Sequence, residues 1–187
     1  MTLFIDKIIR AKQRLADKIE RVYLKKYYGE SITLNNAQLG RYFELDIKSE
    51  NFEIRLGKNV YFRGHSSVTI RNKGKINVGN NVFFNKYISI NCHAAVSIGN
   101  DCLFGENVKI YDHNHKFRDK TKPIADQGYT YGVISIGNNC WIASNVVILK
   151  GVNIGDNVVI GANCVVATNI PADTIVKSNN DLQYNSY

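Results

Sequence analysis

The sequence predicts an all-β solenoid of parallel coils, preceded by a basic amphipathic helix and interrupted by one long loop. Three observations carry this. Aliphatic anchors recur every six residues at Ile136, Ile142, Ile148, Ile154, Ile160 and Val166. The same phase returns upstream at Ile98, Phe104 and Ile110, at Val78, Phe84 and Ile90, and more faintly at Leu56, Phe62 and Val68. Glycine follows many anchors (Gly79, Gly99, Gly105, Gly137, Gly155, Gly161), and Asn or Asp follows next, in a chain holding 23 asparagines.

A period of six is neither the 3.6 of a helix nor a plain alternation. It describes short strands, each closed by a turn, with one anchor per unit pointing inward. Gly, Asn and Asp suit those corners because they tolerate left-handed backbone angles. Three units make one triangular coil, so Leu56, Val78, Ile98, Ile136 and Ile154 are expected to open successive coils. The fourth residue after each anchor (Cys102, Val108, Cys140, Val146, Val158, Cys164) is small or medium and should also face inward.

The expected order is a helix over 1–30, a lead-in of short irregular strands over 31–55, the solenoid over 56–175 and a tail over 176–187. In the helix, Ile5, Ile8, Ile9, Leu15, Ile19, Val22, Tyr23 and Tyr27 keep near-3.6 spacing, with lysines and arginines crowding the rest. Such a helix can lie on an anionic membrane or pack on the solenoid or a partner subunit.

Composition narrows the function. The net charge is +8, but residues 1–30 and 31–75 each carry +4, and residues 76–187 carry eight charges of each sign. A nucleic-acid protein spreads its cations over the binding face with aromatics between. Here a basic N-terminal part precedes a neutral body, so no nucleic-acid partner is expected. Cys92, Cys102, Cys140 and Cys164 form no CxxC pair. With no export signal or membrane-spanning run, reduced thiols and a cytoplasmic protein are expected. Cys92 alone lies outside the repeat register.

The repeat holds through Ile110 and then breaks over 112–135, a polar excursion of about 20 residues with His113 and His115 at its base. Such an excursion from a regular solenoid is uncommon unless functional. A metal centre would need three converging histidines. His65, His93, His113 and His115 give no such pattern, so no metal is expected.

The Ile136–Ile148 run, with its Gly137-Asn138-Asn139 corner and Trp141, resembles the hexapeptide-repeat acyltransferases, and within them the galactoside/maltose and surface-polysaccharide O-acetyltransferases. The resemblance covers roughly residues 55–175. It implies a left-handed parallel β-helix and a homotrimer with active sites between subunits. It also implies acetyl-CoA as co-substrate, a sugar acceptor in surface polysaccharide or lipopolysaccharide biosynthesis, and direct transfer by a histidine base. Oxygen is favoured over an amino-sugar nitrogen. A poor nucleophile such as a hydroxyl needs its proton taken, and neutral imidazole does this near pH 7.

In the resembled enzymes the base lies eleven residues after the anchor opening the second repeat of its coil. From Phe104 that count gives His115, with His113 and Asp112 as candidates for orienting it or the acceptor. Asn85 matches an acceptor-binding asparagine. His93 stands where that group has an acidic acceptor contact, a departure that suggests a different acceptor. Trp141, Ser144 and Ala162 match positions near the thioester and pantetheine arm. Ala167 and Thr168 match coenzyme-binding positions where that group often has a Thr-Lys pair, and the lysine's phosphate contact is not expected here.

Overall fold

The computed structural model describes residues 2–178. The side chains of Ile5, Ile8 and Ile9, and the expected tail beyond residue 178, lie outside the described residues. Helix α1 (Thr2–Tyr28) comes first. Lys25 and Lys26 sit in its last turn, where cations complement the helix dipole. Gly29 ends it at φ +57°, the left-handed conformation that commonly stops helices.

Six coils follow. Coil one holds β1 (Ile32–Thr33) and β2 (Glu44–Lys48). Coil two holds β3 (Glu53–Leu56), β4 (Tyr61–Phe62) and β5 (Ser67–Arg71). Coil three holds β6 (Lys75–Val78), β7 (Phe83–Phe84) and β8 (Ser89–Cys92). Coil four holds β9 (Ala95–Ile98), β10 (Leu103–Phe104) and β11 (Lys109–Tyr111). The excursion then forms a hairpin of β12 (His113–His115) and β13 (Tyr129–Tyr131). Coil five holds β14 (Ile134–Ile136), β15 (Trp141–Ile142) and β16 (Val147–Ile148). Coil six holds β17 (Asn153–Ile154), β18 (Val159–Ile160) and β19 (Val165–Val166), and β20 (Ile175–Val176) begins a further turn.

Strands at equivalent places stack in parallel into three six-stranded sheets, the walls of a triangular prism. The register is the one the period dictates. Leu56 pairs with Val78, Val78 with Ile98, Ile98 with Ile136 and Ile136 with Ile154. All fifteen anchors are buried, as are Cys102, Val108, Cys140, Val146, Val158 and Cys164. Phe62, Phe84 and Phe104 stack along the axis with centroids 4.2 and 4.7 Å apart. Each such buried side chain contributes about 1.5–3 kcal/mol. All four cysteines are free and buried. Cys92, outside the register, is also fully buried, and burial pushes its thiol well above the usual range, which suits packing rather than nucleophilic work.

Two expectations change. The segment expected as a lead-in of short strands stacks on the solenoid: β1 and β2 form a first coil, and β3 already belongs to the second. Ile32 pairs with Ile54, Gln38 bridges to Tyr61, and Leu45 pairs with Val68. Leu34, Leu39 and Leu45 fall five and six residues apart, which hides them from a strict period of six. The second change concerns the corner glycines. The left-handed residues are Asn81, Asp101, Asn139 and Asn157, at φ +57°, +59°, +53° and +56°. The glycine two places earlier is needed for close stacking. A Cβ on Gly137 would lie 2.6 Å from the carbonyl carbon of Gly155 in the next coil. Between them, Asn80, Asn100, Asn138 and Asp156 form a ladder. The backbone N–H of Asn80 donates to Asn100 Oδ1 at 2.8 Å, Asn100 N–H to Asn138 Oδ1 at 2.9 Å, and Asn138 N–H to Asp156 Oδ1 at 2.6 Å. Corner donors that the sheets leave unpaired are thereby satisfied.

Helix α1 caps the first coil. Leu24 is buried, and the Tyr28 ring meets Phe52 edge-on at 5.4 Å. Leu15, Ile19 and Val22 stay exposed. Among the described residues, no helix is long and apolar enough to cross a membrane.

Candidate active site

The site is built where the excursion leaves coil four. Strand β11 ends at Tyr111, and the next residue, Asp112, turns its carboxylate into the corner of the coil before. There it is fully buried and accepts the backbone N–H groups of His93 (2.8 Å) and Ala94 (2.7 Å). Those two donors allow a carboxylate to be buried at this corner. Asp112 also closes the neck of the excursion, since its carbonyl accepts the Gly132 N–H at 2.9 Å.

The hairpin arranges the rings. His113 opposes Tyr131 and His115 opposes Tyr129. Alternation puts His113 and His115 on one face of β12. Asp112 Oδ1 lies 3.2 Å from His113 Nδ1. The His93 ring stacks on that of His113 with centroids 3.6 Å apart. Tyr129 touches all three, at 4.9 Å from His93, 5.3 Å from His113 and 4.4 Å from His115. Tyr129 was not singled out from the sequence; its place two residues from Tyr131, across a polar loop from two alternating histidines, is the signal that a hairpin reading would have used.

The imidazoles differ. His93 is 7% exposed, and burial, reinforced by the neighbouring His113, pulls its pKa down to about 4, so it is neutral at pH 7. His113 is half-buried with its Nδ1 on the carboxylate, leaving Nε2 for chemistry. His115 is exposed and lines an open cavity of about 640 Å³ beneath the excursion. Asp112 therefore meets His113 directly, where the sequence named both as candidates for orienting His115 or the acceptor. No group of three His, Cys, Asp or Glu could hold a metal ion among the described residues.

The remaining candidates lie elsewhere. Trp141 is 54% exposed on β15, a different wall of the prism. Ser144 is at the corner after it, where its Oγ accepts the Glu106 N–H at 3.2 Å. Ala162 lies one coil on at that corner. Asn85 lies there in coil three, its Oδ1 accepting from Arg63 (3.3 Å) and from the Lys86 N–H (3.0 Å). Ala167 and Thr168 return to the histidine edge, in coil six. The chain thus carries the histidines and the Asn85–Trp141–Ser144–Ala162 group on separate edges.

Residues 134–168 match the family described as bacterial transferase hexapeptide (six repeats), and residues 95–110 match the hexapeptide repeat of succinyl-transferase. Together with the coils and the interrupting hairpin, these matches define the class of the repeat: residues 95–110 and 134–168 are hexapeptide repeats of the bacterial transferase type. Its relatives include galactoside O-acetyltransferase of Escherichia coli, 28% identical over 89% of this chain and 81% of the relative. A lipopolysaccharide-biosynthesis O-acetyltransferase of the same organism, provisionally named, is 34% identical over 56% of this chain and 57% of the relative. A provisionally named acetyltransferase of Mycobacterium tuberculosis is 30% identical over 69% of this chain and 43% of the relative. The chain therefore spans about half the length of these last two. Among solved structures, an N-acyltransferase from Bacillus cereus superposes with a TM-score of 0.63 at 17% identity, covering 83% of this chain and 81% of that one. A hexapeptide-repeat acetyltransferase from Vibrio cholerae, complexed with acetyl-CoA, gives 0.55 at 22%, covering 88% and 78%. Both show the shared fold.

Proposed function

We propose that the protein is an acetyl-CoA-dependent O-acetyltransferase acting on a sugar hydroxyl, in the cytoplasm, in the biosynthesis of surface polysaccharide or lipopolysaccharide. The relatives point to this class of acceptor, and the observation that carries the mechanism is the Asp112–His113 pair at the mouth of the excursion.

The buried carboxylate holds His113 by Nδ1, and Nε2 takes the proton of the acceptor hydroxyl. The thioester of acetyl-CoA supplies the acyl group. As the sugar oxygen bonds to the acyl carbon, the C–S bond breaks and the thiolate takes a proton from the imidazolium, leaving the ester and CoA. His115 is the second reading for the base, favoured by its position on the cavity. The pantetheine track of this reading runs over the exposed Trp141 ring and the small Ser144 and Ala162 side chains.

The two groups on separate edges support a homotrimer in which the histidine edge of one protomer faces the Trp141 edge of its neighbour. The exposed Leu15, Ile19 and Val22 among Lys12, Lys18, Lys25 and Lys26 favour contact of helix α1 with an anionic membrane surface.

CoA release from acetyl-CoA, measured against neutral sugars, amino sugars and glycan precursors, tests the reading. Acceptor-dependent release with an ester product supports it. Amide formation would turn it to N-acetylation, and absence of release with every acceptor would overturn it.

A further inference from the structure

The cavity under the excursion has a charge the rest of the body lacks. Residues 76–187 contain eight cations and eight carboxylates. Four of those cations, Lys116, Arg118, Lys122 and Lys150, line this one cavity, against two of the carboxylates, Asp119 and Asp126. Asp119 is already engaged. Its Oδ1 accepts the Thr121 hydroxyl and N–H at 2.5 and 3.0 Å, and its Oδ2 lies 3.8 Å from Lys122 Nζ. Lys116, Arg118 and Lys150 have no carboxylate partner among the described residues. Phe117, 65% exposed, and His115 stand in the same lining. Unpaired cations crowded into a concavity repel one another unless an anion joins them. An exposed aromatic beside them offers an apolar face to a sugar or base ring.

We propose that this cavity binds the phosphate of the acceptor, so that the substrate is a glycosyl phosphate or diphosphate rather than a free sugar. The inference rests on the acetyltransferase reading above and names its acceptor class. Lys116, Arg118 and Lys150 hold the phosphate oxygens, Phe117 covers an apolar ring face, and the sugar hydroxyl is directed toward the histidines. The cavity lies at the histidine edge, away from Trp141, Ser144 and Ala162, which separates it from the pantetheine track.

The test uses the full chain saturated with CoA, so that coenzyme phosphates occupy their own site. Inorganic pyrophosphate is titrated in by calorimetry. It is expected to bind, and to bind at least about tenfold more weakly to Lys116→Glu and Arg118→Glu, the scale of a lost charge-assisted contact. Binding abolished by CoA would assign the cavity to the donor and overturn the proposal, as would unaltered binding to both variants. These results do not depend on turnover, so they stand apart from a failure of the acetyltransferase reading. With turnover, KM is compared for methyl glucoside, glucose 1-phosphate, uridine diphosphate glucose and a polyprenyl-diphosphate-linked glucose. The phosphorylated acceptors should have the lower KM, raised in the variants while KM for acetyl-CoA stays level. The last two compounds distinguish a nucleotide from a lipid carrier. Equal KM values for methyl glucoside and the phosphates would overturn the proposal.

Discussion

The rings of His93 and His113 stack at 3.6 Å with an interplanar angle of 21°, and Asp112 is hydrogen-bonded to both residues, through the His93 backbone N–H and His113 Nδ1. The stack sets the tilt of the His113 ring and the carboxylate sets its rotation. His93 sits 19 residues before Asp112, in the corner one coil earlier, so the rigid solenoid rather than the hairpin supplies this support. His93→Phe keeps a flat ring in that space and should leave kcat within about threefold. His93→Ala removes the wall and should lower kcat about tenfold or more with KM nearly constant. A rise in acceptor KM for both variants would instead make His93 an acceptor contact.

His113→Ala should lower kcat by about 10²–10⁴-fold, the range for loss of a general base, and His115→Ala by about tenfold or less. Steady-state CoA release decides between them. The reverse order would make His115 the base.

The depressed pKa of His93 has a consequence for stability. In the unfolded chain this histidine takes up a proton near pH 6.5; in the fold it does so only near 4. Its contribution is therefore fully present above about pH 6.5 and is lost as pH falls toward 4, a cost of up to about 3 kcal/mol. Denaturant midpoints measured from pH 7 to pH 4 should fall less steeply for His93→Phe than for the wild type.

Gly137→Ala places a methyl against the backbone of Gly155 and Asp156, where neither coil can yield without breaking the Asn138–Asp156 rung of the ladder. A loss of about 2–4 kcal/mol in equilibrium unfolding is expected. Ile142→Ala, at a fully buried anchor, should cost about 2–5 kcal/mol through the cavity it leaves.

An active site shared between subunits predicts complementation. His113→Ala and Ala162→Arg should each be inactive alone. Unfolded, mixed in equal amounts and refolded together, they should recover about a quarter of wild-type activity, because that share of interfaces pairs two intact edges. No recovery would place the whole site within one chain.

The sequence by itself determined the solenoid, because a six-residue period dictates which side chains point inward and every coil repeats that rule over short distances. Ile98 meeting Ile136 across a 38-residue gap follows from phase alone once the excursion is set aside. The excursion and its histidines were legible for the same reason, as the one place where the phase breaks. The tertiary structure decided what depends on stacking between coils. Asp112 finds the His93 and Ala94 N–H groups one coil away, which makes His113 rather than His115 the oriented imidazole. Tyr129 joins the ring cluster only because the excursion folds back as a hairpin. The first coil escaped notice because Leu34 and Leu39 are five apart, and only pairing with Ile54, Tyr61 and Val68 shows where residues 31–55 belong. The corner glycines carried the right residue for another reason: local backbone angle is visible in a sequence, whereas the approach of two coils is a distance between residues that no local spacing encodes.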